Sequence, residues 1–200
     1  MKRHVSLAGA LLLVVGLPAL AADTFVVDKG HSEVGFQVTH LGITKVRGRF
    51  NDFEGQIQVD AAKPDASSVQ FAIKAASVDT GHQKRDADLK APGGGFFESD
   101  KYPTITFKST KVEPKGKDLY NVTGDFTLHG VTKPLTLPVK ALGPITDPWG
   151  NTKYGFETEA TINRKDYGMT WHEVMDAGGV VVSDEVKITI QIEAAKPKAK

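Results

Sequence analysis

The stretch Glu33-Val34-Gly35-Phe36-Gln37-Val38-Thr39-His40 decides the fold. Val34, Phe36, Val38 and His40 share one face of an extended chain and Glu33, Gln37 and Thr39 the other, because successive strand side chains point to opposite sides. Working outward, the same period of two returns at Val69, Phe71, Ile73 and Ala75, and at Ile105 and Phe107 with Thr104, Thr106 and Lys108 opposite. It continues through Val122, Phe126 and Leu128, then Leu135, Leu137, Val139 and Ala141, then Phe156, Ala160 and Ile162. Val186, Ile188, Ile190 and Ile192 close the series. One apolar and one polar face per run is the mark of an antiparallel sheet with one wet side.

One segment reverses its phase. Val46, Gly48 and Phe50 share a parity, whereas Phe53, Ile57 and Val59 share the opposite one. A bulge or sharp bend at Asn51-Asp52 restores a common face, and such a bend helps a long strand curl around a closed sheet. Turns are written at Lys63-Pro64-Asp65, Pro114-Lys115-Gly116, His129-Gly130-Val131 and Asp147-Pro148-Trp149-Gly150-Asn151. Leu128 to Leu135 has hairpin spacing, with Pro134 required at an outward, unpaired or edge position. A helix is expected over Gln83 to Leu89 with Thr80 as its N-cap, where His82 and Asp86 would form an exposed pair on one face. Successive strands with short connections favour an up-and-down arrangement. A barrel of about eight strands is the smallest common closed form with room for a ligand, and the alternation alone leaves a two-sheet sandwich open.

The chain begins with basic Met-Lys-Arg-His and an apolar run from Leu7 to Leu20, followed by Ala19-Leu20-Ala21. That order predicts a secretory signal peptide over residues 1–21, cleaved after Ala21. The run of about 14 residues falls short of the ~20 that a spanning helix needs, so no transmembrane anchor is expected. Residues 22–195 then form one β domain, and Lys196-Pro-Lys-Ala-Lys200 is a short basic, flexible tail. The 25 Lys and Arg, less Lys2 and Arg3, stand just below the 24 Asp and Glu. No basic stripe interleaved with aromatics is present, which argues against nucleic acid. With no cysteine, neither disulfides nor thiol chemistry enter.

Motifs for catalysis are sparse. There is no G-x-S-x-G elbow, and Gly93-Gly94-Gly95 lacks the Lys-Ser/Thr of a phosphate loop and reads as a flexible surface turn. Asn121-Val122-Thr123 matches a glycosylation sequon inside a predicted strand. None of His31, His40, His82, His129 and His172 is spaced with another as local metal ligands, so no metal and no cofactor are expected. His40 shares the parity of Phe36 and Val38, and reads either as a hydrogen-bonded histidine at the rim of the core or as a polar group fixing a ligand's head. The inward phenylalanines either fill a core or line a dry cavity.

The pattern Asp28-x-x-His31-Ser32-x-Val34-x-Phe36-x-Val38-x-His40-x-Gly42, continued by Val46-x-Gly48-x-Phe50-x-x-Phe53-x-Gly55, resembles the opening of the YceI-like family of bacterial secreted proteins. The likeness goes on through Ser77-Val78-Asp79-Thr80, Arg85-Asp86, Phe96-Phe97, Lys101-Tyr102-Pro103 and Gly124-Asp125-Phe126-Thr127-Leu128. It ends with Asp147-Pro148-Trp149-Gly150, Asn163-Arg164-x-Asp166-Tyr167-Gly168 and Asp184-Glu185-Val186. The resemblance implies an all-β, lipocalin-like, extended antiparallel up-and-down barrel with one or two short helices. It also implies a non-enzymatic periplasmic protein that holds a polyisoprenoid, isoprenoid quinone or similar long-chain lipid inside, with a homodimer as one possible assembly. The ligand-binding residues expected on that footing are Phe36, Val38, His40, Phe50, Phe53, Phe71, Ile73, Ile105, Phe107, Phe126, Leu128, Phe156 and Ile162. The alternatives are a filled barrel that binds a protein partner, or an enzyme acting on an isoprenoid or quinone with His40 as its first candidate. One departure stands out: Asp88 occupies the place of the family's helix histidine, and an acid there would repel an anionic head group.

Overall fold

Asp23–Val27 (β1) and Glu33–His40 (β2) are two halves of one strand, parted by a short 3-10 turn at Lys29–His31. Thr44–Phe50 (β3) and Phe53–Val59 (β4) return alongside them, β3 beside β2 and β4 beside β1. Ser68–Lys74 (β5) and the two-residue Val78–Asp79 (β6) make the third strand, broken by a 3-10 turn at Ala75–Ser77. The remaining strands are long and continuous: Thr104–Gly116 (β7), Leu119–Leu128 (β8), Val131–Thr146 (β9), Thr152–Asn163 (β10) and Val182–Ala195 (β11). Each pairs antiparallel with the next, and β11 closes the ring against both β2 and β1. Counting each broken strand once, the result is an eight-stranded up-and-down barrel. The computed structural model describes residues 22–176 and 178–197. The expected leader lies outside them, and no helix among them is long and apolar enough to cross a membrane.

The phase reversal at Asn51-Asp52 corresponds to a full break between β3 and β4, with Phe50 and Phe53 both buried on either side. The neighbouring strands break at the same level. Asn51 donates its N–H to the Ser77 carbonyl (3.1 Å), and Lys74 donates to the Asp52 carbonyl (2.9 Å). The Asp52 carboxylate ties the breaks together by accepting from Lys29 (2.8 Å) and Lys74 (2.5 Å), and those two lysines hold its pKa down at about 2.

Chain turns follow their local chemistry. His129 and Gly130 both take positive φ (50° and 74°), as a two-residue hairpin turn requires. In that hairpin Pro134 and Pro138 face Asp125 and Asn121, while β10 pairs with β9 only from Val139 onward. The edge beside both prolines is therefore unpaired on the β10 side, where a missing N–H costs no ladder bond.

The helix (α1) spans Gln83–Lys90, but its cap is His82, whose Nδ1 accepts the N–H of Arg85 at 3.2 Å, and not Thr80. Thr80 donates its N–H and hydroxyl to Asp86 and accepts from Arg85 Nε (2.8 Å), which also removes the expected His82–Asp86 pair. Lys196 is tethered, its N–H bonded to the Thr152 carbonyl (3.0 Å) and its ammonium to Asp23 (2.6 Å).

Candidate functional site

The inward faces of the strands do not meet at the barrel axis. They enclose a cavity of about 1050 Å³ that runs from α1 at one end to the turns after β4 and β7 and to Ala141 and Gly143 of β9 at the other. This exceeds the roughly 300–1,000 Å³ of ordinary ligand pockets, so the interior is not a filled core.

Glycines help to keep that space open. Phe36 lies against Gly48, Phe71 against Gly55 and Phe107 against Gly124, so closely that a Cβ on any of these glycines would stand 2.3–2.6 Å from a ring atom. Each ring packs flat on the wall because the neighbouring glycine has no side chain. For Phe36 and Phe71 the glycine is the direct cross-strand partner, whereas Gly124 lies diagonally from Phe107, opposite Ser109. With side chains there, the rings would be pushed inward.

Phe36, Val38, His40, Phe50, Phe71, Ile73, Ile105, Phe107, Phe126, Leu128, Phe156 and Ile162 all stand on the cavity wall. Phe53 does not. It pairs with Ile73 on the inward face but is covered, buried and stacked against the Phe71 ring (centroids 5.7 Å, interplanar 20°). The alternation also missed wall residues supplied by loops and ends, among them Leu89, Met169, Trp171, Tyr120 and Tyr154. Their positions depend on long-range packing that no period announces.

The helix end of the cavity is built from α1, the Ala91–Pro103 segment and the chain between β10 and β11. His40 is half-buried there, with no hydrogen bond to its ring among the described residues. Lys84 and Asp88 line the same mouth and are exposed, one helical turn apart, with Arg85 beside them. Asp88 thus sits at the opening itself, facing solvent and cavity together.

Two side-chain networks hold this end. Arg164, only 2 % exposed, donates to the Met169 carbonyl (2.8 Å), the Ser183 carbonyl (3.1 Å) and Asp184 (3.0 Å). His129 meets Glu98 at 3.0 Å beneath the ring of Tyr102, at 4.1 Å between centroids. The Glu98 carboxyl is held below its ordinary value, first by His129 and then by the N–H groups of Gly95 and Gly93. An ionised carboxylate only accepts, so His129 Nε2 carries the proton in this bond. Gly93-Gly94-Gly95 is no loose turn: Gly95 accepts the N–H of Trp171 (3.0 Å), and Phe96 stacks on the Trp171 indole (5.1 Å).

At the other end the cavity is bounded by Asp60, Pro64, Asp118, Ala141 and Gly143. On the outer wall nearby, Asp28, His31 and Glu193 lie within ligand distance of one another, but the Lys153 ammonium sits among Asp28, Asp147 and Glu193 and offsets part of their charge.

Residues 25–194 match the sequence model of the YceI-like domain. The chain is 40 % identical over 190 residues to a UPF0312 protein of Azotobacter vinelandii, covering 94 % of each. Among solved structures it is similar to the Campylobacter jejuni YCEI protein, at 33 % identity and a TM-score of 0.68, over 86 % of this chain and 96 % of that one. It shares its fold with a domain from Saccharophagus degradans described as polyisoprenoid binding and implicated in plant cell wall breakdown (18 % identity, TM-score 0.64, 88 % and 99 % covered).

Proposed function

The chain belongs to the YceI-like family, and on that premise we propose that it is exported to the periplasm and holds a polyisoprenoid or similar long-chain lipid inside its barrel. It does so as a carrier or store that leaves the lipid chemically unchanged. The observation that carries this reading is the cavity of about 1050 Å³ with aliphatic and aromatic walls along its whole length. The description of the Saccharophagus degradans domain as polyisoprenoid binding supports it.

Transfer of apolar surface out of water drives such binding, at about 0.8 kcal/mol per buried methylene. Ordering costs hold the net far lower, near 0.3 kcal/mol per heavy atom for large ligands, so a lipid of about forty carbons would bind with about 12 kcal/mol, roughly nanomolar. A head group emerging at the helix end would meet Lys84 and Arg85 together with Asp88 and the imidazole of His40. That mixture suits a polar, uncharged head such as a quinone ring better than a pyrophosphate, which Asp88 would repel.

The test is mass spectrometry of an organic extract from protein exported with its own leader and purified without detergent. The expected result is a stoichiometric isoprenoid or quinone, and its loss in a folded Phe36→Asp variant. Folded protein that carries no lipid would sink the reading. Replacement of His40 provides a further check: binding should persist, whereas loss of a measurable turnover with binding intact would make the protein an enzyme.

A further inference from the structure

Pairing between β8 and β9 ends at Leu119 and Lys140, yet β9 runs on to Thr146 with only β10 beside it. The β9–β10 hairpin therefore overhangs the barrel with one free edge. From Leu142 to Gly150 every residue except Asp147 is exposed, including Leu142 (41 %), Ile145 (60 %) and Trp149 (77 %). Trp149 is held there by a fully bonded turn. Asp147 accepts the N–H groups of Trp149 (2.9 Å) and Asn151 (2.8 Å), and Gly150 donates to the Asp147 carbonyl (3.0 Å).

An exposed apolar edge invites association unless something covers it. A second strand is a poor cover here. Pro144 offers no N–H, and Gly143 at φ 113° breaks the extended line, so no regular ladder can form. A lipid surface requires no ladder, and an amphipathic indole with aliphatic neighbours suits the boundary between head groups and acyl chains. The Lys196 N–H is bonded to Thr152, at the base of the hairpin, and from there the sequence runs on through Lys198 and Lys200. Lys196 itself is neutralised by Asp23, so the two later lysines supply the attraction to anionic lipid. Gly143 and Ala141, at the root of the hairpin, line the adjacent end of the cavity.

We propose that the β9–β10 hairpin tip is a membrane-docking element that seats Trp149 and Ile145 in the interfacial layer of an anionic bilayer. Docking is read from the hairpin and the tail, and stands whether or not the cavity holds lipid.

The experiment uses the exported chain with vesicles of phosphatidylethanolamine and phosphatidylglycerol, and separately with phosphatidylcholine. Flotation is measured alongside tryptophan emission in a Trp171→Phe background, which leaves Trp149 as reporter. The chain should float with the anionic vesicles, and Trp149 emission should shift to the blue. Trp149→Ser with Ile145→Ser should lower partitioning about tenfold or more. Lys198→Ser with Lys200→Ser should lower it by a smaller factor that disappears at high salt. Ile145 and Trp149 are exposed, and an unchanged melting temperature in each variant confirms the fold. The proposal is overturned if Trp149 emission is unmoved by anionic vesicles, or if the double hydrophobic variant floats like the parent. It is equally overturned if sedimentation shows Trp149 buried against a second copy of the chain and no vesicle binding.

Discussion

The two ends of the barrel carry different kinds of bond. At the helix end, residues far apart in sequence are locked together: Arg164 to Asp184, Glu98 to His129, Gly95 to Trp171. At the opposite end the β9–β10 turn is made of bonds between near neighbours, Asp147 with Trp149, Gly150 and Asn151. A turn built from local bonds forms its own shape and can change without disturbing the barrel. A lid built from non-local bonds exists only while the barrel is folded, and damage to it spreads. The barrel thus has a cooperative closure at its helix end and an independently formed turn at the other, and the largest mutational effects belong to the first.

Arg164→Met offers the strongest way to break that contrast. It removes the cation but keeps bulk, leaving Asp184 and two carbonyls short of their donors. Asp184 keeps Lys165 and is partly exposed, so the cost lies in the carbonyls left without a donor, about 1–3 kcal/mol each, and a loss of about 2–4 kcal/mol is expected in urea unfolding. A loss below about 1 kcal/mol would mean that the helix end is no more cooperative than a surface turn. Gly48→Ala follows. The new methyl meets Phe36, whose ring already lies 6.2 Å from Phe97 of the lid segment, so the strain reaches that segment. Overpacking of this kind costs about 1–3 kcal/mol, and the bound-lipid yield should fall with it. Gly55→Ala displaces Phe71 by the same logic, but should leave amide exchange in the lid unchanged.

The turn end was legible in the sequence, and the lid end much less so. Asp147-Pro148-Trp149-Gly150-Asn151 announces a turn because its bonds run between near neighbours. The strands announce themselves too, since alternation records which face is wet. The reversal of parity between Phe50 and Phe53 even located the break between β3 and β4. What alternation does not record is which inward side chains are covered by others, as Phe53 is by its stack against Phe71. Nor does it distinguish an empty interior from a filled one. That depends on glycines seated opposite rings, Gly48 under Phe36 and Gly55 under Phe71, a pairing fixed only by register. His82 displaced Thr80 as helix cap because Thr80 is engaged by Asp86 and Arg85, a competition that propensity does not weigh.

The latch between Glu98 and His129 gives a sharper, milder probe of the same contrast. Glu98→Gln keeps the shape and removes the charge, and amide exchange at Phe97 and Ser99 should accelerate about tenfold while the Trp149 turn is unaffected. Because the folded-state pKa of Glu98 is depressed, its contribution is fully present above the ordinary glutamate value and fades as pH falls through the depressed one. The parent protein should therefore come to match the variant in acid. Acceleration at both ends together would show that the ends are coupled after all.

The smallest effect is expected midway between the ends, at Asp52. It bridges Lys29 and Lys74 where the three strands break, but it is open to solvent, so screening keeps its worth low. Its folded-state pKa of about 2 lies below the ordinary 3.8, so its stabilisation is complete above about pH 4 and disappears as pH falls toward 2. Asp52→Asn should thus show a small stability deficit that is constant from neutral pH to about pH 4 and closes below it. Lying at the waist, the substitution should accelerate exchange at neither end. If it selectively loosened the lid, the breaks in β1–β6 would be transmitting strain to the helix end. The cooperative closure would then extend half the length of the barrel, rather than stopping at Arg164 and Glu98.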